Sequence, residues 1–578
     1  MTAEEIRKLI IETVSRNGGH LASSLGTVEL CIALSEVFDP CTDKIVWDVG
    51  HQSYAWKIIT GRKEAFSTLR QLDGISGFPN PAESKADAAI AGHAGVALSV
   101  AEGYAASRDL RGTGEHVVAV IGDSSIVNGV ALEALNNCAF ATKKVIVILN
   151  DNGMSISKPT GSISRLLSRL ITSVRYNRVK AAAEKTGHAL RLTFLRRFYH
   201  ATESAIKSLF LGNSFFENFG IRYIGPVDGH DIGKLQEVLM VAKEDKRSVL
   251  VHIVTKKGRG FGPAEKNPTK WHGVSPFNLA AAERGETEAA SVAKRCSWSD
   301  CFGALVCRLA REDSRIVALT AGMKDGTALN NFASEFPQRF YDVGINEEHM
   351  VAFAAGLAAG GMKPVVAVYS TFLQRAIDQV VHDVAIASLP VVFCVDRAGV
   401  VGADGVTHQG IYDIAMLRAV PNLTICEPKD ADDFEKLMRE ALRRSGPTVI
   451  RYPRGKIPEQ TVAEECGGSM VKRGKWAIWA TGDWYPKAHE IAAALDGVAV
   501  HARYIKPVDF ALLAEQRNAG MKIASLENAA VIGGLGEAIG ADAKFGWPDE
   551  FIPHGSQEEL EKRYSLDVQS ILTALKNK

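Results

Sequence analysis

Two short runs of β-branched and apolar residues, Val117 to Ile121 and Val145 to Leu149, constrain this chain more than any other feature. The first ends in Gly122-Asp123 and the second in Asn150-Asp151-Asn152, with a helical stretch near Val130 to Ala141 between them. Apolar runs that do not alternate suit strands covered on both faces, which means parallel strands in an α/β sheet. Such sheets bind ligands at the carboxyl ends of their strands. Asp123 and Asn152, 29 residues apart, are therefore expected at one crevice. A carboxylate and an amide oxygen are hard donors, and Mg2+ takes one or two of these and completes its shell with phosphate oxygens and water. A helix starting after Gly129 would aim its N-terminus at the same crevice and favour a phosphate there.

The alternation of strand and helix continues through most of the 578 residues. Buried-strand runs recur at Val249 to Val254, Ile316 to Leu319, Pro364 to Val368, Pro390 to Val395, Thr448 to Tyr452, Val498 to Ala502 and Lys522 to Ser525. Residues 163–211 are richer in Arg and Leu with helical spacing. Residues 262–296 hold Pro263, Pro268 and Pro276 and read as a linker. A polar stretch near Thr461 to Ser469 separates a further block that begins at Trp476. The expected architecture is three doubly wound α/β domains, 1–261, 297–460 and 461–578, with a site shared between the first two, because clefts form where domains meet.

Composition excludes several function classes. With 67 basic and 66 acidic residues the net charge is +1, which gives no global attraction to nucleic acid or to anionic membrane. Disorder is excluded by 46% hydrophobic residues. No apolar run approaches the ~18 residues of a membrane span. The first residues, Met-Thr-Ala-Glu-Glu-Ile-Arg-Lys, are not a signal peptide. The nine cysteines form no CxxC pair and read as free thiols in a reducing cytoplasm.

Gly122-Asp123-Ser124 followed by Asn150-Asp151-Asn152 is similar to the thiamine-diphosphate signature of transketolase-like enzymes. The longer runs Gly19-His20-Leu-Ala-Ser23-Ser-Leu-Gly26, Trp47-Asp-Val-Gly50-His51-Gln, Tyr223-Ile-Gly-Pro-Val-Asp-Gly-His230 and Thr255-Lys-Lys-Gly-Arg-Gly extend the likeness. So do Asp396-Arg397-Ala-Gly-Val-Val-Gly-Ala-Asp404-Gly-Val-Thr-His408-Gln-Gly and Arg451-Tyr-Pro-Arg454-Gly. Together they resemble the 1-deoxy-D-xylulose-5-phosphate synthase family over most of the chain. The resemblance implies a cytoplasmic homodimer that uses thiamine diphosphate and Mg2+. It also implies that pyruvate is decarboxylated and its two-carbon unit joined to glyceraldehyde 3-phosphate, an early step toward isoprenoid, thiamine and pyridoxal precursors.

The same resemblance implies roles for individual residues. Asp123, Asn152 and the backbone carbonyl of Met154 would hold the metal. His51, Gly92, His93, Ala94, Ser124, Ser125, Asn152 and Phe261 would line the cofactor's diphosphate half. Glu347, in Val343-Gly-Ile-Asn346-Glu347-Glu348-His349, would activate its aminopyrimidine, and Phe372 would stack on that ring. His20, His51, His272, His408 and Asp404 would serve catalysis, since histidine shuttles protons near neutral pH. Tyr369, Arg375, Arg397, Asp404, His408 and Arg454 would contact substrate, the planar forks of Arg397 and Arg454 suiting a phosphate. Arg451 reads as structural. No role in chemistry is expected for the third domain.

The chain departs from the family pattern at Ser124, where a glycine is usual, at Ala94 to Ala97, where hydroxyl residues are usual, and at Phe261, where a tyrosine is usual. It also starts at what would be the family's first helix. These departures leave two other readings open, a different transketolase-like transferase and a diverged paralogue of low activity.

Overall fold

The computed structural model describes residues 1–153, 215–286, 296–458, 462–464 and 474–578, which form two compact units. The helical reading of 163–211 and the Met154 carbonyl lie outside the described residues.

The first unit, Met1–Ser67 with Phe78–Glu286, carries a sheet of five parallel strands. These are β1 (Lys44–Trp47), β2 (Val117–Gly122), β3 (Ile146–Asp151), β4 (Arg222–Asp228) and β5 (Val249–Val254), in the order β1-β2-β3-β5-β4. Alternate residues Val117, Ala119 and Ile121 of β2 and Val147 and Leu149 of β3 pack against helices Ala97–Arg111 and Gly129–Ala141. Their neighbours Val118, Val120, Ile146 and Ile148 are equally buried on the other face. Two buried faces explain why these runs are apolar without a break. Register pairs Gly122 with Asn150, so the two polar strand ends stand side by side.

The stretch read as a linker is anchored as far as Glu286 in the first unit. It holds short helices Gly262–Lys266 and Leu279–Glu283, and Val274 bridges Gly19 in antiparallel fashion. Trp271 packs edge-on against Phe261 at 5.1 Å and Phe277 at 4.8 Å. Three spaced aromatics give this segment its own buried contacts, and no periodicity advertises that.

The second unit, Thr287–Lys578 with the short excursion Thr68–Gly77, contains two sheets. Strands β6 (Ile316–Thr320), β7 (Phe340–Asp342), β8 (Lys363–Tyr369), β9 (Val392–Ala398), β10 (Thr424–Cys426) and β11 (Thr448–Pro453) are followed by β12 (Trp476–Ala480), β13 (Val498–His501), β14 (Tyr504–Lys506), β15 (Lys522–Ala530) and β16 (Ala543–Trp547). The seven-stranded sheet runs β14-β10-β11-β9-β8-β6-β7, and the four-stranded sheet runs β13-β12-β15-β16. All pairings are parallel except β14 with β10. That three-residue strand comes from the last block and covers the edge of the larger sheet, where unpaired backbone groups would otherwise stand open. The architecture is thus multi-domain α/β with three largely parallel sheets.

Arg451 on β11 ties the two sheets of this unit together. Its guanidinium, 1% exposed, donates to Asp413 at 3.0 Å, to Glu427 at 2.5 Å and to the carbonyl of Asn528 at 3.0 Å. Removing it strands buried carboxylates without their cation. We predict that Arg451→Met destabilises the second unit by ~3–5 kcal/mol, read from urea unfolding. An unchanged midpoint would mean that the network contributes nothing net.

Candidate active site

In the first unit three of the expected histidines stand together. The His51 and His272 ring centroids are 5.0 Å apart, and His20 lies 5.8 Å from each. Each is placed by a different device. His20 precedes helix Leu21–Leu25 and its backbone N–H donates to the Tyr54 hydroxyl at 3.1 Å. His51 follows Val49 and Gly50, which take φ of 59° and 82°. A β-branched residue in the left-handed region is strained, and such strain persists where the surroundings over-determine it. Here the turn frees the Asp48 carboxylate to accept the N–H groups of Gly95 at 2.9 Å and Ala97 at 3.1 Å, fixing the loop Gly92-His93-Ala94. His272 lies 3.3 Å from the Ser23 hydroxyl. Burial, and then the charges of Lys257 and His20, hold His272 well below the usual histidine range, so it is neutral at pH 7.

Lys257 also connects this cluster to Asp123. Burial depresses the lysine and the Asp123 charge supports it. Asp123, 6% exposed, is pushed well above the ordinary carboxylate range by burial and by the neighbouring Asp151 charge, against the pull of Lys257. Two acids held together out of water are destabilised until a cation joins them. The Asp123 carboxylate and the Asn152 amide are the kind of hard oxygen donors that suit a Mg2+ relying on phosphate oxygens for its remaining ligands, and no group of three or more acidic, His or Cys ligands is gathered among the described residues. The buried Ser124 hydroxyl has no hydrogen-bond partner and Ser125 is 4% exposed, so hydroxyls are available where a diphosphate would lie. Phe261 spends its ring on Trp271 and Phe277.

In the second unit the larger sheet presents Tyr369 at the end of β8, stacked on Phe372 at 5.8 Å, with His408 edge-on to Phe372 at 5.7 Å. Glu347 opens helix Glu347–Ala359 and is 2% exposed. Its Oε2 accepts no hydrogen bond and has Arg375 at 3.7 Å. Burial pushes its carboxyl up to about 7, although Arg375 pulls the other way. The Arg397 guanidinium lies over the Tyr369 ring at 3.9 Å, and Arg397 itself takes φ 58°. Asp404 pairs with Arg454 at 3.6 Å and with Arg70 at 2.7 Å. Burial first, and then repulsion from Arg397, lowers Arg454, with Asp404 opposing. Three guanidiniums, of Arg70, Arg397 and Arg454, thus gather around Asp404, with the buried Asp396 carboxylate also facing Arg397 and Arg454.

In the second unit Tyr369, Phe372 and His408 thus stand in contact, Arg397 lies over Tyr369 and near the Asp404–Arg454 pair, and Glu347 pairs with Arg375. Arg70 and Lys257 joined the sites without having been singled out. Lys257 stands inside the Thr255-Lys-Lys-Gly run, which offered a signal, whereas Arg70 lies in an excursion that no motif marks.

The family model "1-deoxy-D-xylulose-5-phosphate synthase" matches residues 1–255 and "Transketolase, pyrimidine binding domain" matches residues 294–460. A protein of Natranaerobius thermophilus named 1-deoxy-D-xylulose-5-phosphate synthase is 44% identical, over 100% of this chain and 95% of its own length. One of the same name from Caldanaerobacter subterraneus is 45% identical, over 98% of this chain and 94% of its own. The matched family models and relatives define a transketolase-like thiamine-diphosphate transferase. The chain belongs to the 1-deoxy-D-xylulose-5-phosphate synthase family.

The raised Glu347 carboxyl carries a pH signature. Its folded value of about 7 exceeds the unfolded value near 4.5, so the folded state holds the proton more tightly. The stabilisation is complete below the unfolded value and is lost as pH rises through about 7, a cost of up to ~3 kcal/mol above that. Without ligands, Glu347→Gln should be more stable than the parent at pH 8, with the gap closing toward pH 4.5. Urea titrations at both pH values check this, and an equal gap at each would contradict it.

Proposed function

We propose that this chain joins the two-carbon unit of pyruvate to glyceraldehyde 3-phosphate, releasing CO2 and forming 1-deoxy-D-xylulose 5-phosphate. When bound, thiamine diphosphate supplies the carbon nucleophile and electron sink that decarboxylation requires. Asp123 and Asn152, with the Met154 carbonyl, would hold Mg2+. Ser124, Ser125, His93 and Lys257 would take the diphosphate. Phe372 would stack on the pyrimidine, and Glu347 Oε2, still without a hydrogen bond, would hold or release a proton at a ring nitrogen. A carboxyl at about 7 does so near neutral pH.

Neutral His272 is suited to share a proton with a developing alkoxide, with His20 and His51 at ring contact to complete the relay. His408, with its Nδ1 2.8 Å from the Thr407 hydroxyl, is fixed in orientation for the same task beside the acceptor. The observation that carries the choice of acceptor is the cluster of Arg70, Arg397 and Arg454 around Asp404. A phosphate entering it relieves the repulsion between Arg397 and Arg454 and accepts from planar forks. A homodimer is supported by Ala352, Gly356 and Ala359, an uncharged exposed line on helix Glu347–Ala359. A cytoplasmic setting is supported by free cysteines, among them Cys31, Cys138, Cys394 and Cys426 in buried positions.

Purified protein given thiamine diphosphate, Mg2+, pyruvate and glyceraldehyde 3-phosphate should form a five-carbon deoxyketose phosphate and CO2, followed by mass spectrometry. Glu347→Ala should abolish the product. Arg454→Ala should raise KM for the phosphorylated acceptor by at least about tenfold, as loss of a charge-assisted contact costs ~1.5–3 kcal/mol, with little change for glyceraldehyde. Cofactor binding without this product would point to another transketolase-like transferase. No cofactor binding would point to a diverged paralogue.

A further inference from the structure

The turn that presents Asn152 is braced from inside the sheet. The Thr255 hydroxyl donates to Asn150 Oδ1 at 2.6 Å, and the Thr255 N–H donates to the Asp151 carbonyl at 2.9 Å. The Gly153 N–H donates to Asp151 Oδ1 at 2.9 Å. The other carboxylate oxygen of Asp151 meets His252 Nε2 at 3.1 Å, and His252 Nδ1 meets the Tyr223 hydroxyl at 2.7 Å. Behind Tyr223 the Phe216 ring is stacked parallel at 6.0 Å. His252 is fully buried in the middle of β5, a strand whose other inward residues are all aliphatic.

An ionised Asp151 only accepts, so Nε2 carries the proton; Nδ1 is then an acceptor, and the tyrosine O–H donates to it. Each polar atom in this chain of groups has a partner with neutral histidine, so the arrangement needs no charge beyond that of Asp151. A polar relay on a core strand is costly unless it positions something. What it positions is the Asp151 carboxylate, the group beside Asp123 and between Asn150 and Asn152.

We propose that His252, backed by Tyr223, is a positioning residue for the metal-binding turn: it sets the orientation of Asp151 and so the placement of Asn152 against Asp123. This rests on the assignment of Asp123 and Asn152 to Mg2+ above. Partners behind metal ligands typically change metal affinity by ~10–100-fold when removed.

The test is calorimetric titration of Mg2+ into the full chain saturated with thiamine diphosphate, with Mn2+ paramagnetic resonance as an independent readout. His252→Leu should weaken metal binding by ~10–100-fold. His252→Gln, whose amide N–H replaces the Nε2 donor, should recover most of it. Tyr223→Phe, which removes one oxygen and leaves the stack on Phe216, should weaken binding by a smaller factor and keeps the question decidable if the leucine variant does not fold. A purely structural role would lower the melting temperature and leave metal affinity unchanged in folded protein. Parental affinity in Tyr223→Phe and folded His252→Leu, or no recovery in His252→Gln, would overturn the inference. Absence of metal and cofactor binding in the parent would instead overturn the proposed function, and this inference with it.

Discussion

Burial on both faces of the strands that lead to the candidate sites displaces charge to the ends of those strands, and that constraint organises the chemistry here. Along β2, β3 and β8 each interior position is aliphatic because either face meets packed side chains. Polar chemistry is therefore displaced to the carboxyl ends, where Asp123, Asn150 to Asn152, Tyr369 and Arg397 emerge. His252 is the exception on β5, and its hydrogen bonds run straight to one of those ends.

The groups collected there share a physical condition. Asp123 and Glu347 are acids raised by burial, His272 is a base lowered by burial, and Arg454 is a cation lowered by burial and by a like neighbour. In each, burial disfavours the charged form, and the proposed function brings each a different ligand chemistry: a divalent cation, a ring nitrogen, a developing alkoxide, a phosphate. A fold stabilised elsewhere by large aliphatic cores can sustain such sites, because the destabilisation is local.

Much of this was legible in the sequence because strand-end chemistry leaves local signatures. Gly122-Asp123 and Asn150-Asp151-Asn152 each follow an uninterrupted apolar run, so the period and the stop signal locate them together. The Asp404-to-His408 loop and Glu347 were equally local. What stayed hidden depends on distant pairing. Arg70 reaches Asp404 from an excursion with no motif, and β14 is three residues long and takes its meaning only from β10. Proline-rich spacing disguised the aromatic anchor of Trp271, to which Phe261 contributes its ring. The order of 163–211 and the Met154 carbonyl belong to residues outside those described.

If the strained ionisations exist to receive ligands, ligand should stabilise the protein where the strain is greatest. The most direct measurement is thermal unfolding at pH 8 with thiamine diphosphate and Mg2+ added singly and together. At about a hundred times the dissociation constant, joint addition should stabilise by ~2.7 kcal/mol, a rise of several degrees, while either ligand alone should give much less. An unchanged transition at saturating concentrations of both would contradict the account.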